Sequence, residues 1–149
     1  MTIYRKDHIE PILVEGSEPR LEQRIGEAGK LTDLGVNIVT LSPGQRSSDR
    51  HWHARSDEFM LVLSGVATVH ENHGSHDLAP GDYACWPLGE ANAHTVENCT
   101  GEPLTFLVAG TNPPTDIVHY PDSGRTLFHE PPDWWITDRE GREIRRGKT

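Results

Sequence analysis

Between Gly35 and Gly110 the chain alternates short apolar runs with turn sequences, and this pattern limits its possible folds more than any other feature. Runs such as EFMLVLSG and LTFLVAG have the length and the apolar content of β-strands. Turns such as Ser42-Pro43-Gly44 and Pro80-Gly81-Asp82 separate them, with residues that fix φ or tolerate a positive φ. Strands of this length and spacing predict an all-β fold, either a barrel or a two-sheet sandwich.

The two ends of the chain are patterned differently from its middle. Residues 1–34 mix Pro, Gly and charges, which predicts an irregular arm packed on the barrel, with Ile12–Val14 as a possible edge strand. Residues 111–149 are rich in Pro and aromatics, and we expect an ordered wrap because rings such as Trp134 would be costly to leave in water. A chain of 149 residues has the size of one domain, so residues 35–110 and both arms are expected to form a single unit.

Charge and hydropathy exclude several classes of partner. The net charge is −9 and the only concentrated basic run is GREIRRGKT at the C-terminus, so nucleic acid and anionic membranes are not expected as partners. The segment MTIYRKDHIEPILVEG lacks the apolar stretch of a secretory signal, and no run of about 18 apolar residues could span a membrane. We therefore expect a cytoplasmic protein in which Cys85 and Cys99 are free thiols, although sequence alone leaves their pairing open.

A group of polar residues at the centre of the chain predicts a metal site. On a β-strand, positions i and i+2 point to one face, so His51 and His53 project together while Trp52 points away. Glu58 begins the next predicted strand, and an antiparallel return would bring its carboxylate beside the two imidazoles. His94 could supply a third nitrogen. These donors suit one divalent transition metal, which could be Fe, Mn, Ni, Cu or Zn.

Two segments resemble the paired motifs of the cupin superfamily. GQRSSDRHWHARSDEFMLVLSG is similar to the first motif and GDYACWPLGEANAHTVEN to the second. The matching positions are Gly44, His51, His53, Glu58 and Gly65 in the first motif, and Gly81, Pro87, Gly89, His94 and Asn98 in the second. The 15 residues between the motifs match the spacing of small bacterial single-domain cupins, whereas the four residues between Gly89 and His94 exceed the usual two. PPTDIVHYPDSGRTL resembles uncharacterised cupins described as sugar-phosphate-isomerase-like.

This resemblance implies a single jelly-roll barrel of six to eight strands with the metal inside. His51, His53, Glu58 and His94 would be the ligands. The motif glycines and Pro87 would be structural, because they place turns at positive φ and end strands.

Residues that contact a substrate are harder to choose from the sequence. Tyr83 and Cys85 share one face of a predicted strand and Ala84 and Trp86 the other, so either pair could line the cavity. Arg50, with its neighbours Arg46 and Arg55, could hold a carboxylate or a phosphate at the pocket mouth, or could be solvated. Asp57 and Glu90 are candidate acid/base groups.

The predicted donor set favours an enzyme that acts on a small, polar, bidentate substrate such as a sugar derivative or a keto or hydroxy acid. A metal that chelates such a molecule promotes isomerase or lyase chemistry, because it acidifies the adjacent C–H or O–H. A carboxylate ligand also eases loss of an electron to bound oxygen, which would suit a dioxygenase. The alternative is a non-catalytic cupin that binds or senses a sugar.

Two further features have more than one interpretation. His70, His73 and His76 lie in VHENHGSHD, which predicts a solvated hairpin tip or an adventitious surface metal site. The run Phe59–Leu63 is apolar on both faces, so one face needs a cover. A homodimer is the expected cover, and the terminal arms are the alternative.

Overall fold

The structure is a computed structural model that describes residues 2–15 and 19–149. These residues form a 3-10 turn at Lys6–His8, one short helix, α1 (Ile25–Ala28), and fourteen β-strands. The strands are β1 (Ile12–Val14), β2 (Arg20–Gln23), β3 (Leu34–Leu41), β4 (Trp52–His53), β5 (Glu58–Ser64), β6 (Ala67–Glu71), β7 (Gly74–Leu78), β8 (Tyr83–Trp86), β9 (Thr95–Glu97), β10 (Leu104–Thr111), β11 (Asp116–Tyr120), β12 (Arg125–Glu130), β13 (Asp133–Thr137) and β14 (Glu143–Lys148). The all-β prediction is confirmed.

The strands form three antiparallel sheets. The first has six strands in the order β1-β2-β3-β10-β5-β8, the second has five in the order β14-β13-β12-β11-β4, and the third has three in the order β7-β6-β9. The strands β4 and β5 are neighbours in sequence but belong to different sheets, so the expected antiparallel pairing of β4 with β5 is wrong. The loop at residues 54–57 instead carries the chain from the five-stranded sheet to the six-stranded one.

The core is built from alternate side chains of the central strands. Met60 and Val62 of β5 are each 1% exposed, and they pack in one cluster with side chains of β3, β10 and β6 such as Leu41 and Phe106. The intervening residues of β5 point outward, and Leu63 is 43% exposed. This alternation leaves one apolar face of the six-stranded sheet inside the molecule and the other near solvent.

Both arms contain more strand than the sequence pattern predicts. Ile12–Val14 forms the edge strand β1, as expected, and β2 joins the six-stranded sheet beside β3. Residues 1 and 16–18 of the predicted arm lie outside the described residues. Beyond residue 111, β11 to β14 form most of the five-stranded sheet, where the rings of Phe128 and Trp135 stack across the β12–β13 pair at a centroid distance of 5.1 Å. The aromatic residues of this segment are thus ordered.

The motif residues that resemble those of cupins shape the turns. Gly44, Gly65, Gly81 and Gly89 all have positive φ, and Pro87 directly follows β8. Asn98 is fully buried, and its amide donates to the carbonyl oxygens of Leu41 at 3.0 Å and Glu102 at 2.7 Å. These bonds fasten the loop after β9 to the end of β3.

The two cysteines agree with the expectation from composition. Cys85 and Cys99 are both free and exposed, as predicted. Among the described residues, no helix has the length and apolar character needed to cross a lipid bilayer.

Candidate metal centre

The three histidines of the predicted site come together through strand pairing. His51 precedes β4 and forms an isolated antiparallel bridge with His94, with backbone bonds from His51 N to His94 O at 3.1 Å and from His94 N to His51 O at 2.9 Å. The two imidazole centroids lie 5.3 Å apart. His53 follows on β4, which pairs with β11, and its ring lies 5.0 Å from that of His51. The face shared by positions i and i+2 therefore points to the interior.

Glu58 reaches the histidines from the opposite sheet. It begins β5, and its Oε2 lies 3.0 Å from His94 Nε2 and 3.5 Å from His53 Nε2. One donor atom each of His51, His53 and Glu58 lies within 4.8 Å of the other two. His94 is outside that compact trio, but it contacts the same carboxylate oxygen. The four predicted residues thus converge in space, although Glu58 arrives across the interior and not through a hairpin.

Each imidazole is held through Nδ1, which leaves Nε2 for the interior. His53 Nδ1 donates to Asp116 Oδ2 at 2.6 Å, and His51 Nδ1 donates to the carbonyl oxygen of Asp49 at 2.8 Å. His94 Nδ1 lies 3.2 Å from the carbonyl oxygen of Asn92. Such outer partners fix the ring orientation and increase the basicity of the other nitrogen. Three Nε2 atoms and one carboxylate form a donor set that fits a divalent transition metal.

The electrostatics of the site favour the ligating forms of His51 and Glu58. Burial lowers the pKa of His51, against the opposing charge of Glu58, so its imidazole stays neutral to lower pH than an exposed one. Burial acts to raise the pKa of Glu58, but the hydrogen bond from His94 and the nearby imidazoles outweigh burial and lower it. A bound cation would take the place of the proton between His94 and Glu58, because ligation requires that nitrogen's lone pair.

Trp86 forms a wall of the site. Its ring stacks on His94 at a centroid distance of 3.7 Å and an interplanar angle of 7°, and its indole N–H donates to Glu71 Oε1 at 2.7 Å. The inward pair on β8 is therefore Ala84 and Trp86. Tyr83 is 65% exposed and Cys85 is exposed as well, so this pair does not line the cavity and its contact with a substrate stays a prediction.

Arg50 also lies apart from the ligand cluster. Its guanidinium donates from Nε to Asp122 Oδ2 at 3.1 Å and from Nη2 to Asp122 Oδ1 at 2.7 Å. It also donates to Asn72 Oδ1 at 2.7 Å. Arg50 lines a separate surface depression together with Arg46 and Tyr120. Arg50 is therefore not part of the lining of the metal cavity, and its predicted contact with a carboxylate or phosphate at a pocket mouth stays a prediction.

The ligand candidates line an interior cavity of about 400 Å³. Polar groups reach it from the N-terminal arm: Arg20 and Glu22 of β2 lie on its wall with Asn37 of β3. Glu22 is only 7% exposed, and its carboxylate contacts Arg20 Nη2 at 2.7 Å and Arg24 Nε at 3.4 Å. Sequence interpretation missed this pair. The alternation of Arg20 and Glu22 on one strand face was the only available signal.

Asp116 is another residue of this site that sequence interpretation missed. It begins β11, outside both motifs, and its Oδ1 also accepts from the backbone N–H of Arg55 at 3.0 Å and of Ile117 at 2.8 Å. Pairing of Val118 with His53 brings β11 beside β4, and this brings Asp116 to His53. No local pattern marks such a contact.

Replacing Asp116 with Asn is expected to weaken metal binding about 10- to 100-fold, because the amide no longer holds His53 as strongly in the ligating tautomer. Competition with a chromophoric chelator would measure the affinity. Asp122→Asn is the matched control, since Asp122 pairs with Arg50 on the surface. Equal metal affinities of wild type and D116N would contradict the role of Asp116.

Comparison with known proteins agrees with the geometry. The family model for the Cupin domain matches residues 37–110. The structure of a sugar phosphate isomerase from a cupin superfamily, from Silicibacter pomeroyi, is 35% identical, with a TM-score of 0.86 over 93% of this chain and 94% of that one. The chain belongs to the cupin superfamily. Comparison of this cupin with curated protein sequences gives no match.

Two other structures extend the comparison. A candidate sugar phosphate isomerase from Acidithiobacillus ferrooxidans is 27% identical to this cupin, with a TM-score of 0.83 over 95% of this chain and 92% of that one. A predicted oxalate decarboxylase from Thermotoga maritima is 22% identical, with a TM-score of 0.63 over 73% of this chain and 97% of that one, and this likeness concerns the fold alone. The two sugar phosphate isomerase structures match both arms as well as the central strands.

Proposed function

We propose that this cupin is a metal-dependent isomerase that acts on a small sugar derivative with an anionic group, a sugar phosphate being the first candidate. The observation that carries the proposal is the shared cavity, which joins the donor set of His51, His53, Glu58 and His94 to the buried Glu22 and its partner Arg20. A cavity of about 400 Å³ has the size of a site for a small ligand.

The relatives support the same class of reaction. The Silicibacter pomeroyi protein, at 35% identity, is named a sugar phosphate isomerase, and the Acidithiobacillus ferrooxidans protein, at 27% identity, carries that name as a candidate. Both cover more than nine-tenths of this chain, so they include the N-terminal arm that brings Arg20 and Glu22 to the cavity. The proposal extends that activity to this cupin.

The roles of the residues follow from their chemistry. A divalent metal held by the three imidazoles and Glu58 would polarise the carbonyl of a chelated hydroxy-carbonyl substrate. Arg20 presents a guanidinium that binds a phosphate or carboxylate. Glu22 is the candidate for proton transfer: it takes a proton from the carbon beside the carbonyl and returns it to the former carbonyl carbon, while the hydroxyl proton on the neighbouring oxygen passes to the former carbonyl oxygen. The isomerisation needs no other reactant.

The walls of the cavity favour this chemistry. Apolar side chains from three strands of the six-stranded sheet, among them Met60, Phe106 and Val108, line it beside the polar groups. Apolar walls limit the water around the reacting atoms and strengthen electrostatic interactions inside. Arg20 and a cation bound by the four ligands would hold the substrate, and the apolar walls of the cavity would limit its size.

The test follows solvent deuterium into a panel of aldose phosphates, ketose phosphates and sugar acids. The protein is loaded anaerobically with Fe²⁺, Mn²⁺, Ni²⁺ or Zn²⁺ and incubated with each compound in D₂O, and NMR detects deuterium at the carbon next to the carbonyl. For the substrate, E22Q is expected to lower the exchange rate about 10²- to 10⁴-fold, the usual contribution of general acid–base catalysis. The substrate should still raise the Tm of E22Q.

One variant serves as the control, and three other outcomes would each indicate a different function. Glu90→Gln is the matched control. The sequence made Glu90 a candidate acid/base group, but it is an exposed loop carboxylate that does not line the cavity, so this variant should retain full activity. An E22Q variant as active as wild type would contradict the role of Glu22. Consumption of oxygen would indicate a dioxygenase, and net loss of water from the substrate a lyase. A compound that raises the Tm and is recovered unchanged would indicate a binding or sensing module.

A homodimer and a cytoplasmic location stay predictions. The outer face of the six-stranded sheet supports a dimer: Leu34 and Leu63 are each 43% exposed and Tyr83 is 65% exposed. Exposed apolar groups of this size on one sheet face are typical of a protein interface. Two free cysteines are ordinary for a reducing compartment.

A further inference from the structure

A second group of metal-ligating side chains lies on the three-stranded sheet. One donor atom each of His70, Glu97 and Cys99 lies within 4.8 Å of the other two. His70 is on β6 and Glu97 on the adjacent β9, and Cys99 follows two residues after Glu97. None of these three belongs to the cluster in the interior cavity. They differ from that cluster in offering a sulfur donor.

The sequence pattern had grouped His70 with His73 and His76, and the strand register separates them. His76 pairs with Val69, so its side chain lies on the opposite face of the β6–β7 hairpin from His70. His73 is exposed in the turn between the two strands. The prediction of a metal site formed by the three histidines is therefore wrong. The neighbours of His70 are other residues.

His70 and Glu97 are already oriented toward each other. His70 Nε2 lies 2.6 Å from Glu97 Oε2, and His70 Nδ1 lies 2.6 Å from the hydroxyl of Ser75. Both side chains are mostly buried, at 28% and 20% exposure. The hydroxyl of Ser75 holds the ring as an outer partner does in metal sites, and it directs Nε2 to the carboxylate.

We propose that His70, Glu97 and Cys99 bind a divalent transition metal of the zinc type. A thiolate, an imidazole and a carboxylate are the donors that Zn²⁺ takes, with water in the fourth position. Ligand atoms in a tetrahedral zinc site stand about 3.3–3.7 Å apart, given metal–ligand distances of about 2.0–2.3 Å. Rotation of the exposed Cys99 side chain and a small widening of the His70–Glu97 contact provide this spacing.

Charge and protons balance at this site. Binding of the cation releases the thiol proton of Cys99 and the proton shared by His70 and Glu97. Arg46 Nε lies 3.3 Å from Glu97 Oε2, and it can stay as the outer partner of the carboxylate after the metal enters. The metal would link the loop after β9 to β6 and so stabilise the three-stranded sheet.

Cobalt gives this site a spectroscopic signature that the cavity site lacks. Thiolate ligation of Co²⁺ produces a near-ultraviolet charge-transfer band, and the four candidate ligands in the cavity offer only nitrogen and oxygen. Titration of the full chain with Co²⁺, with both thiols reduced, should develop the band up to about one equivalent at this site, and Zn²⁺ should abolish it. Cys99→Ser should remove the band, whereas Cys85→Ser should retain it.

Variants of the cavity cluster separate this proposal from the proposed function. His51→Ala should keep the band, because His51 does not belong to this site. In that H51A background, C99S should weaken Zn²⁺ binding by more than about 100-fold. Loss of an outer hydrogen-bond partner costs up to about 100-fold, and loss of a ligand should cost more. No band in wild type, a band lost in C85S and retained in C99S, or equal Zn²⁺ affinities with and without Cys99 would each overturn the second site.

Discussion

Replacing Glu58 with Ala, or His51 with Ala, is expected to remove nearly all metal from the cavity of this cupin. Each variant loses one of the four donors that converge there. The metal affinity should therefore fall by more than about 100-fold, which is the most that loss of an outer hydrogen-bond partner usually causes. Glu58 has the larger effect, because its carboxylate lies within 3.5 Å of two of the imidazoles and carries the cluster's only negative charge. Elemental analysis after gel filtration measures the metal content.

The experiment is best performed in a C99S background, so that metal at the second proposed site is not counted. His76→Ala is the matched control, since His76 is an exposed histidine on β7, and it should leave the metal content unchanged. Circular dichroism confirms that each variant is folded, and added metal should raise the Tm of the control but not of the ligand variants. Metal content that is unchanged in both E58A and H51A would refute the ligand assignment.

The motif residues could be predicted because local spacing determines much of their geometry. His51 and His53 share a face in any extended strand, so the spacing of these two residues is enough to predict a chelate. The way in which the fold brings Glu58 to the histidines was not predictable in the same way. Its strand has neighbours that lie far away in sequence, in β10 and β8, and no local pattern shows that β4 lies in another sheet. The sequence therefore predicted four residues that converge in space, but with the wrong strand pairing.

The alternation of side chains along β8 shows a second limit of prediction from sequence. Tyr83, Ala84, Cys85 and Trp86 alternate with two plausible inward pairs, and composition does not choose between them. The choice depends on register: Trp86 pairs with Glu58, so both lie on the cavity side of the sheet. A shift by one residue would reverse both faces, which is why register must be known before substrate contacts can be assigned.

The N-terminal arm was difficult to predict because its strand β2 exposes an apolar side chain and buries a charged one. On β2 the apolar Leu21 is 41% exposed, whereas the charged Glu22 is 7% exposed. Such burial of a carboxylate is tolerable only with partners, and these come from Arg20 and Arg24. A pattern search for apolar alternation therefore misses β2, although this strand supplies the polar wall of the cavity.

Replacing Gly65 with Ala is expected to destabilise the protein by about 2–5 kcal/mol. Gly65 follows β5 with φ +81°, and a Cβ at this position would lie 2.5 Å from the carbonyl oxygen of Pro103 and 3.0 Å from Leu104 Cα. Both contacts are backbone atoms that cannot rotate away. The positive φ adds a conformational cost of about 1–2 kcal/mol for any residue with a Cβ.

Gly44 separates these two contributions. It has the same φ of +81°, but a Cβ there would meet nothing within 4 Å. Gly44→Ala should therefore cost only the conformational term of about 1–2 kcal/mol, and the difference between the two variants measures the steric term. Urea unfolding followed by circular dichroism gives both values. Equal losses of stability in G65A and G44A would mean that the end of β5 can move away from Pro103. Such movement would also release the strand that holds Glu58 at its other end.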